Sequence, residues 1–470
     1  MSYTSPPNGF RTFTIVWLTQ SLSVVGGRMM GFALNVYLVQ GLYPAPGQKA
    51  ELALALTAIN LAFFIPVVFG APFAGAFADR HDRKRTMILA DLLNGLVCLV
   101  LIILMLEGAL QLWMLVLTGI VSALAGAFHY AAFDSSYAML VPDHLLPRAN
   151  GMMQTTWWSS GIVAPGLAAF VLTLPAFLIP GAAGTPFDVI GNGVAMCIAV
   201  NALTFAVSAA VLFAVHIPSP QRSDVGADGR LETSIWSDIR AGLLYVWHRP
   251  PLLWLLGTFT LANFGIGTSS VITPLVVKFN LAADWTARGL SYEAALALVG
   301  TLSGIGGLAG GVLMTTWGGL KRARVYGVLI PMLLGGVADV VFGLTSLLFV
   351  AAAAGLAFSV MGPMLNAHSQ TIWQTQTPRE LQGRVFSVRR LIAQCTWPVG
   401  ALSAGSLAGL FDPGLLMAAL GALLVLFCTA QLWNPYLVRV EDKEWLDRMA
   451  ASRQLARSGG PSARKKPEFV

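Results

Sequence analysis

The chain has 470 residues, of which 56% are hydrophobic and only 11% charged, with a mean hydropathy of +0.69. A soluble domain carries about 25% charged residues, so this composition excludes an ordinary soluble enzyme and points to a membrane protein. The net charge of +7 does not mark a nucleic-acid binder, because the basic residues sit in short loops between apolar runs rather than on a solvated domain.

A helix needs about 20 apolar residues to cross the hydrocarbon core. Twelve runs qualify, at 12–40, 51–78, 86–106, 111–140, 150–175, 189–216, 250–277, 292–317, 325–345, 347–373, 386–411 and 413–435. The first is too long for a signal-peptide core and is expected to remain as a spanning helix. With the N-terminus in the cytoplasm, 25 of the 29 Lys and Arg residues fall in inside loops and tails. The positive-inside rule then places both termini in the cytoplasm of a cell inner membrane. The expected organisation is a six-helix bundle over 1–216, a cytoplasmic linker over 217–249, a second bundle over 250–435 and a basic tail over 436–470. Within the linker, Ile235, Ile239, Leu243 and Val246 recur at helical spacing and predict an amphipathic surface helix. The four cysteines, Cys98, Cys197, Cys395 and Cys428, lie in apolar runs without metal-ligand spacing and read as buried hydrophobes.

The chain matches itself at an offset of 236 residues. Gly75 falls on Gly311, Gly119 on Gly355, Gly126 on Gly362, Pro142 on Pro378, Leu145 on Leu381 and Arg148 on Arg384. Two halves in the same orientation, related by an axis along the membrane normal, are one transporter plan, with cargo held between them.

The stretch GAFADRHDRKRT, from Gly75, interrupts two apolar segments with seven consecutive ionisable residues, Asp79 to Arg85. A cytoplasmic turn is basic for topology alone, which accounts for Arg83, Lys84 and Arg85 but not for Asp79. This stretch resembles the loop signature of the major facilitator superfamily: Gly75, Asp79, Arg80, Arg83 and Lys84 match, and Asp82 replaces a second glycine. The second-half copy keeps Gly311 and Gly318 but has Thr315 in place of the acid. The stretches VPDHLLPRANG and LQGRVFSVRRLIAQ look like the branch containing macrolide efflux proteins and enterobactin-type siderophore exporters.

The resemblance implies an all-α fold of twelve transmembrane helices in two six-helix pseudo-repeats, with spans 1, 4, 7 and 10 lining a cavity. It also implies an inner gate in which Asp79 meets the start of span 11 at Arg384, with Gly75 allowing close approach and Asp91 joining the same network. Gly161, Pro165 and Gly166 of span 5 are similar to the helix-kink motif of drug:proton antiporters. Span 8 carries GIGGLAGG, which without a preceding strand reads as close helix packing rather than a dinucleotide loop.

Ionisable residues inside a membrane are costly and mark functional candidates. Arg28 lies roughly 24 Å from the inner end of span 1 at 1.5 Å per residue. It is a candidate for an anionic cargo or an acidic partner. His129 and Asp134 in span 4 are about 140° apart around the helix and need not share a face; Asp134 is the first candidate for a proton-coupling carboxylate. Asp339 is deep in span 9, and His368 reads as a hydrogen-bonded structural histidine.

No P-loop, H-E-x-x-H or G-x-S-x-G motif occurs, which leaves ATP hydrolysis by a P-loop and membrane-embedded hydrolysis without support. The expected protein is not an enzyme. It is a monomeric secondary exporter of small amphipathic molecules, drug or siderophore-like, coupled to protons in antiport. Its partners are cargo, protons and the lipid bilayer, with no cofactor, metal or nucleic acid. The alternatives are an importer or lipid flippase of the same fold, and a non-transporting sensor or assembly partner.

Overall fold

The computed structural model describes residues 8–142, 145–178, 186–217, 235–378 and 381–457. The side chains of Asp79, Arg80 and Arg384, three residues of the expected gate, lie outside the described residues. Among the described residues there is no strand. In lipid only helices or closed barrels satisfy every backbone group internally, and these runs are apolar around their whole circumference, which suits helices buried in bilayer and protein.

The first half comprises α1 (Gly9–Val36), continued by a π-helical turn (Tyr37–Leu42), then α2 (Lys49–Arg80), α3 (Arg83–Leu106), α4 (Leu112–Leu140), α5 (Leu146–Leu178) and α6 (Pro186–Ala214). The linker helix is α7 (Ile235–Trp247). The second half comprises α8 (Pro250–Leu275), the short α9 (Ala282–Ala287), α10 (Tyr292–Trp317), α11 (Tyr326–Leu344), α12 (Leu348–Gln376), α13 (Gln382–Gln394), α14 (Thr396–Ala408) and α15 (Pro413–Gln431). The tail adds α16 (Pro435–Val438) and α17 (Lys443–Arg457).

Among the described residues, eleven unbroken helical stretches are long and apolar enough to cross a membrane. The twelfth expected span, 386–411, is formed by two 13-residue helices, α13 and α14, that meet at a one-residue break at Cys395. Pro398 supplies the reason, because its ring crowds the carbonyl four residues earlier, at Gln394, and it has no N–H to donate there. Cys395, at this break, is exposed, whereas Cys98, Cys197 and Cys428 are buried as expected.

Helix pairing makes the internal repeat visible. In the first half α2 packs on α4, α3 on α4 and α6, and α1 on α5 and α6; in the second half α10 packs on α12, α11 on α12 and α15, and α8 on α14 and α15. Contacts between halves obey the same symmetry, α5 against α10 and α2 against α14.

The basic loop after α2 is held by its own chemistry. Asp82, the residue in place of the usual glycine, accepts a hydrogen bond from the Arg85 backbone N–H at 2.8 Å and so caps α3. Lys84 donates to the Phe213 carbonyl at 3.0 Å, placing a cation at the C-terminal end of α6. Gly318 ends α10 with φ +77°, a left-handed conformation that favours glycine, so chain reversal explains it without a gating role.

On the linker side of the second half, α7 packs on α8 and α13. Tyr245 and Val246 of α7 join Trp373, Val385, Leu437 and Leu446 in one apolar cluster. Arg249 pairs with Asp447 at 2.8 Å and Arg324 with Glu441 at 2.9 Å, so α17 is fastened to this bundle.

Candidate functional site: the interface between the halves

Several hydrogen bonds join the two halves in the part of the molecule away from α7. Lys278, just past the end of α8, donates to the carbonyl of Val39, within the π-helical turn after α1, at 2.8 Å and to that of Tyr43, just after the turn, at 2.6 Å. Lys49 donates to Phe411 O at 3.1 Å. Thr57 reaches Ala401 O at 3.1 Å, and Thr301 reaches Ile162 O at 3.3 Å. The rings of Phe64 and Trp397 stack at 4.2 Å. Small residues bring the backbones together: Gly304 abuts Gly161, and a Cβ on Gly300 would lie 3.3 Å from the Pro165 ring. The span 5 motif therefore sits at the seam between halves, where Gly161 and Pro165 meet α10; Gly166 faces Thr301 more loosely, since a Cβ there would lie 4.0 Å from the Thr301 hydroxyl.

Inside this seam, Arg28 of α1 lies over the Trp157 ring of α5, 4.5 Å from its centroid. A Cβ on Gly161 would come within 3.0 Å of the Arg28 guanidinium, so the absence of a side chain there makes its room. The Tyr130 phenol is within electrostatic reach of Arg28 and of Asp134. Seven residues beyond Arg28, and therefore on the same face of α1, Asn35 lines a cavity of about 310 Å³. Its other walls include Gly31 and Phe32 of α1, Thr273 of α8, and Gly300 and Ser303 of α10. The Asn35 side-chain oxygen is buried without a hydrogen-bond partner. The cavity thus offers polar anchors in an apolar wall, the usual character of a small-molecule site. A larger groove, about 580 Å³, lies on the outer flank of the first half among Phe77, Leu89, Leu93, Leu124 and Phe128. Arg28 does not line it, and its wall is mostly apolar, with His81, Asp82, Arg85 and Thr86 contributing polar groups.

A second polar centre is sealed within the first half. His129 of α4 contacts Gln20 of α1 through Nε2 at 2.8 Å, and its Nδ1 lies 3.0 Å from Asp91 Oδ1 of α3. Ser208 of α6 donates to Asp91 Oδ2 at 2.6 Å, and Gln20 Nε2 donates to Ser208 at 2.9 Å. Asp91, His129 and Ser208 are 2%, 7% and 0% exposed, while Gln20 is half-buried. Asp91, expected beside Asp79, is thus anchored to His129 and Ser208.

The remaining candidates are dispersed. Asp134 is exposed and within electrostatic reach of Arg390 of α13, across the halves. Asp339 is buried at the packing of α11 on α15, where a Cβ on Gly421 would lie 2.9 Å from its own Cβ. His368 takes the structural part read from sequence: Nε2 accepts from the Leu320 backbone at 2.9 Å and Nδ1 meets the Met364 carbonyl at 2.7 Å. Close packing at Gly75 and Gly311 is not realised, since a Cβ on either would meet nothing within 4 Å. The physical reason is that the described fastening between halves lies on the other side of the molecule. By contrast Gly306 and Gly310 press against the Leu356 and Val360 carbonyls, as the helix-packing reading of GIGGLAGG requires. Gln20, Ser208 and Trp157 went unnoticed in the sequence; the one signal was an uncharged polar or indole side chain within an apolar run.

Two pseudo-symmetric six-helix halves with a cavity between them define a multi-pass membrane transporter, not an enzyme. The chain belongs to the Major Facilitator Superfamily, whose profile matches residues 16–401. It is 25% identical over 395 residues to macrolide efflux protein A of Streptococcus pyogenes, covering 83% of this chain and 87% of that protein. It is 25% identical over 362 residues to the multidrug efflux pump Tap of Mycolicibacterium fortuitum, covering 76% and 81%. A mutant of the nucleoside transporter NupG has the same fold, with a TM-score of 0.66 at 12% identity over 89% of this chain and 99% of that one.

Proposed function

We propose that the protein is a monomeric inner-membrane exporter, with both termini cytoplasmic, that moves small amphipathic molecules of the drug or siderophore class by alternating access in antiport with protons. The observation that carries this reading is the fastening of the halves on the side away from α7. Lys278, Lys49, Thr57 and the Gly161–Gly304 contact close the side away from α7. The linker side is then the cytoplasmic mouth, through which cargo enters. Efflux relatives over most of the chain support the outward direction.

Arg28 on its Trp157 platform and the Asn35 cavity form the cargo site. An arginine presents several N–H donors in a fixed plane, so the favoured cargo carries acceptor oxygens or an anionic group on an apolar frame. Asp134 and Arg390, facing one another across the mouth, belong to the inner gate with Asp79, Arg80, Arg83 and Arg384. Closing the mouth draws them together as the far side parts.

The test is proton flux in proteoliposomes holding the purified protein while macrolides, dyes and catecholate siderophores are added singly. Cargo-triggered proton movement supports antiport and names the cargo class. Cargo movement without protons points to a facilitator, and silence across the panel in a folded protein overturns the export reading.

A further inference from the structure

We infer that the Asp91–His129 pair is the proton-carrying site of the transporter, buried in the first half and separate from the cargo cavity. The inference deepens the antiport reading above and rests on it for its role, though the proton site itself is argued from hydrogen-bond direction.

Gln20 fixes that direction. Its Nε2 donates to Ser208, so its Oε1 faces His129 and accepts; His129 Nε2 therefore carries a hydrogen. The reverse amide orientation would turn the Ser208 hydroxyl toward Gln20 and leave two acceptors, Ser208 Oγ and Asp91 Oδ2, 2.6 Å apart. With Nε2 protonated, His129 Nδ1 and Asp91 Oδ1 stand 3.0 Å apart, off the ideal hydrogen-bond axis and with no other partner for Nδ1. Without a proton between them, a ring-nitrogen lone pair faces a carboxylate in a site shielded from water. One proton, on either atom, turns that contact into an attraction.

Proton occupancy therefore selects conformation. When the proton leaves, Asp91 becomes a carboxylate beside a neutral imidazole, and the contact joining α3 to α4 becomes repulsive. When it returns, the two helices and Gln20 of α1 lock together again. Gln20 is the half-buried member, so exchange with water passes by its side chain. The next residue on α1, Ser21, is 2.7 Å from Thr156 of α5, adjacent to the Trp157 that carries Arg28. Contiguous contacts thus run from proton site to cargo site.

The surrounding charges do not substitute for the pair. Among the described residues, only Gln20 reaches it from α1 and only Ser208 from α6, neither of them ionisable. On α3, Arg83 engages the Ala78 carbonyl and the Met139 sulfur. On α4, Tyr130 has its ring 6.5 Å from that of His129 and faces Arg28 and Asp134; Asp134 is exposed. On α2, the Asp79 side chain lies outside the described residues.

The experiment uses full-length protein with Asp91→Asn or His129→Gln, which keep hydrogen-bonding shapes but replace one ionisable member of the pair with a neutral amide. Imidazole nitrogen NMR on histidine-labelled protein, assigned by loss of the His129 signal in His129→Gln, follows the ring between about pH 5 and 8. A change in protonation that Asp91→Asn alters is the expected result. A ring indifferent to both pH and Asp91→Asn overturns the proposal whatever the cargo. In proteoliposomes, each variant is expected to lose pH-driven accumulation of erythromycin, its concentration ratio falling to that of simple equilibration, by far more than it loses erythromycin exchange. Accumulation with the wild-type pH profile in both variants overturns the proposal. If the wild type accumulates none of the panel while its ring still responds through Asp91, the proton site stands and the export reading falls.

Discussion

Gly304 of α10 rests directly on Gly161 of α5: a Cβ at position 304 would lie 2.7 Å from the Gly161 carbonyl carbon and 2.8 Å from its oxygen. The opposing atoms are backbone and cannot rotate away. Gly304→Val is therefore expected to force the halves apart on the closed side. Overpacking costs about 1–3 kcal/mol, which shifts a two-state equilibrium by about 5- to 150-fold. Transport by purified Gly304→Val should fall while the protein remains folded; a normal rate would show that this contact does not form during the cycle.

Lys278 closes the same side through the carbonyls of Val39 and Tyr43. A hydrogen bond to a charged group contributes about 1.5–3 kcal/mol, and Lys278→Met abolishes both. The far side should then open more often. A cysteine introduced by Tyr43→Cys would be labelled faster by an impermeant maleimide when Lys278→Met is also present. Equal labelling rates would dismiss the clasp.

Arg28 over Trp157 is a cation–π contact in a partly dry setting, for which about 0.5–2 kcal/mol is typical. If cargo meets this pair, Arg28→Lys keeps the charge but loses the planar fork, and KM should rise about 2- to 30-fold. Trp157→Leu should act in the same direction, and the double variant should be no worse than the more damaged single one. Strictly additive losses would mean that the two side chains serve separate purposes.

Asp284 gives a pH prediction outside the membrane. The Arg288 side chain, through a 3.0 Å hydrogen bond, and then the Leu348 backbone N–H at 2.9 Å hold its carboxyl below the ordinary carboxylate range. A depressed folded value means that the stabilisation is fully present above the unfolded value, about pH 4. It is lost as pH falls further, through the folded value. Hydrogen exchange at the start of α12 should accelerate below that pH in the wild type. In Asp284→Asn it should be faster already at neutral pH and flat with acidification; identical acid profiles would reject the assignment.

The signals legible in the sequence were those written as long apolar runs and charged interruptions. Arg28, His129, Asp134 and Asp339 stood out because ionisable groups are conspicuous in lipid-spanning stretches. Gln20, Ser208 and Trp157 did not, since an uncharged polar or aromatic residue carries no comparable penalty and appears in any helix. Asp91 was visible but its contact with His129 was not, because His129 is 38 positions away on another helix. Pro398 was equally visible, yet a transmembrane proline bends a span to a degree set by what packs around it.

Hydropathy, basic loops and the 236-residue repeat determined the class, the spans and the expected orientation, because bilayer thickness and the cost of burying charge act on each segment alone. Which side of the interface is closed, and which polar groups share a site, was decided only in three dimensions. Those outcomes depend on how glycine and proline surfaces on separate helices meet. The contacts of Gly161 with Gly304, Lys278 with Val39, and Asp91 with His129 join residues that no local rule brings together.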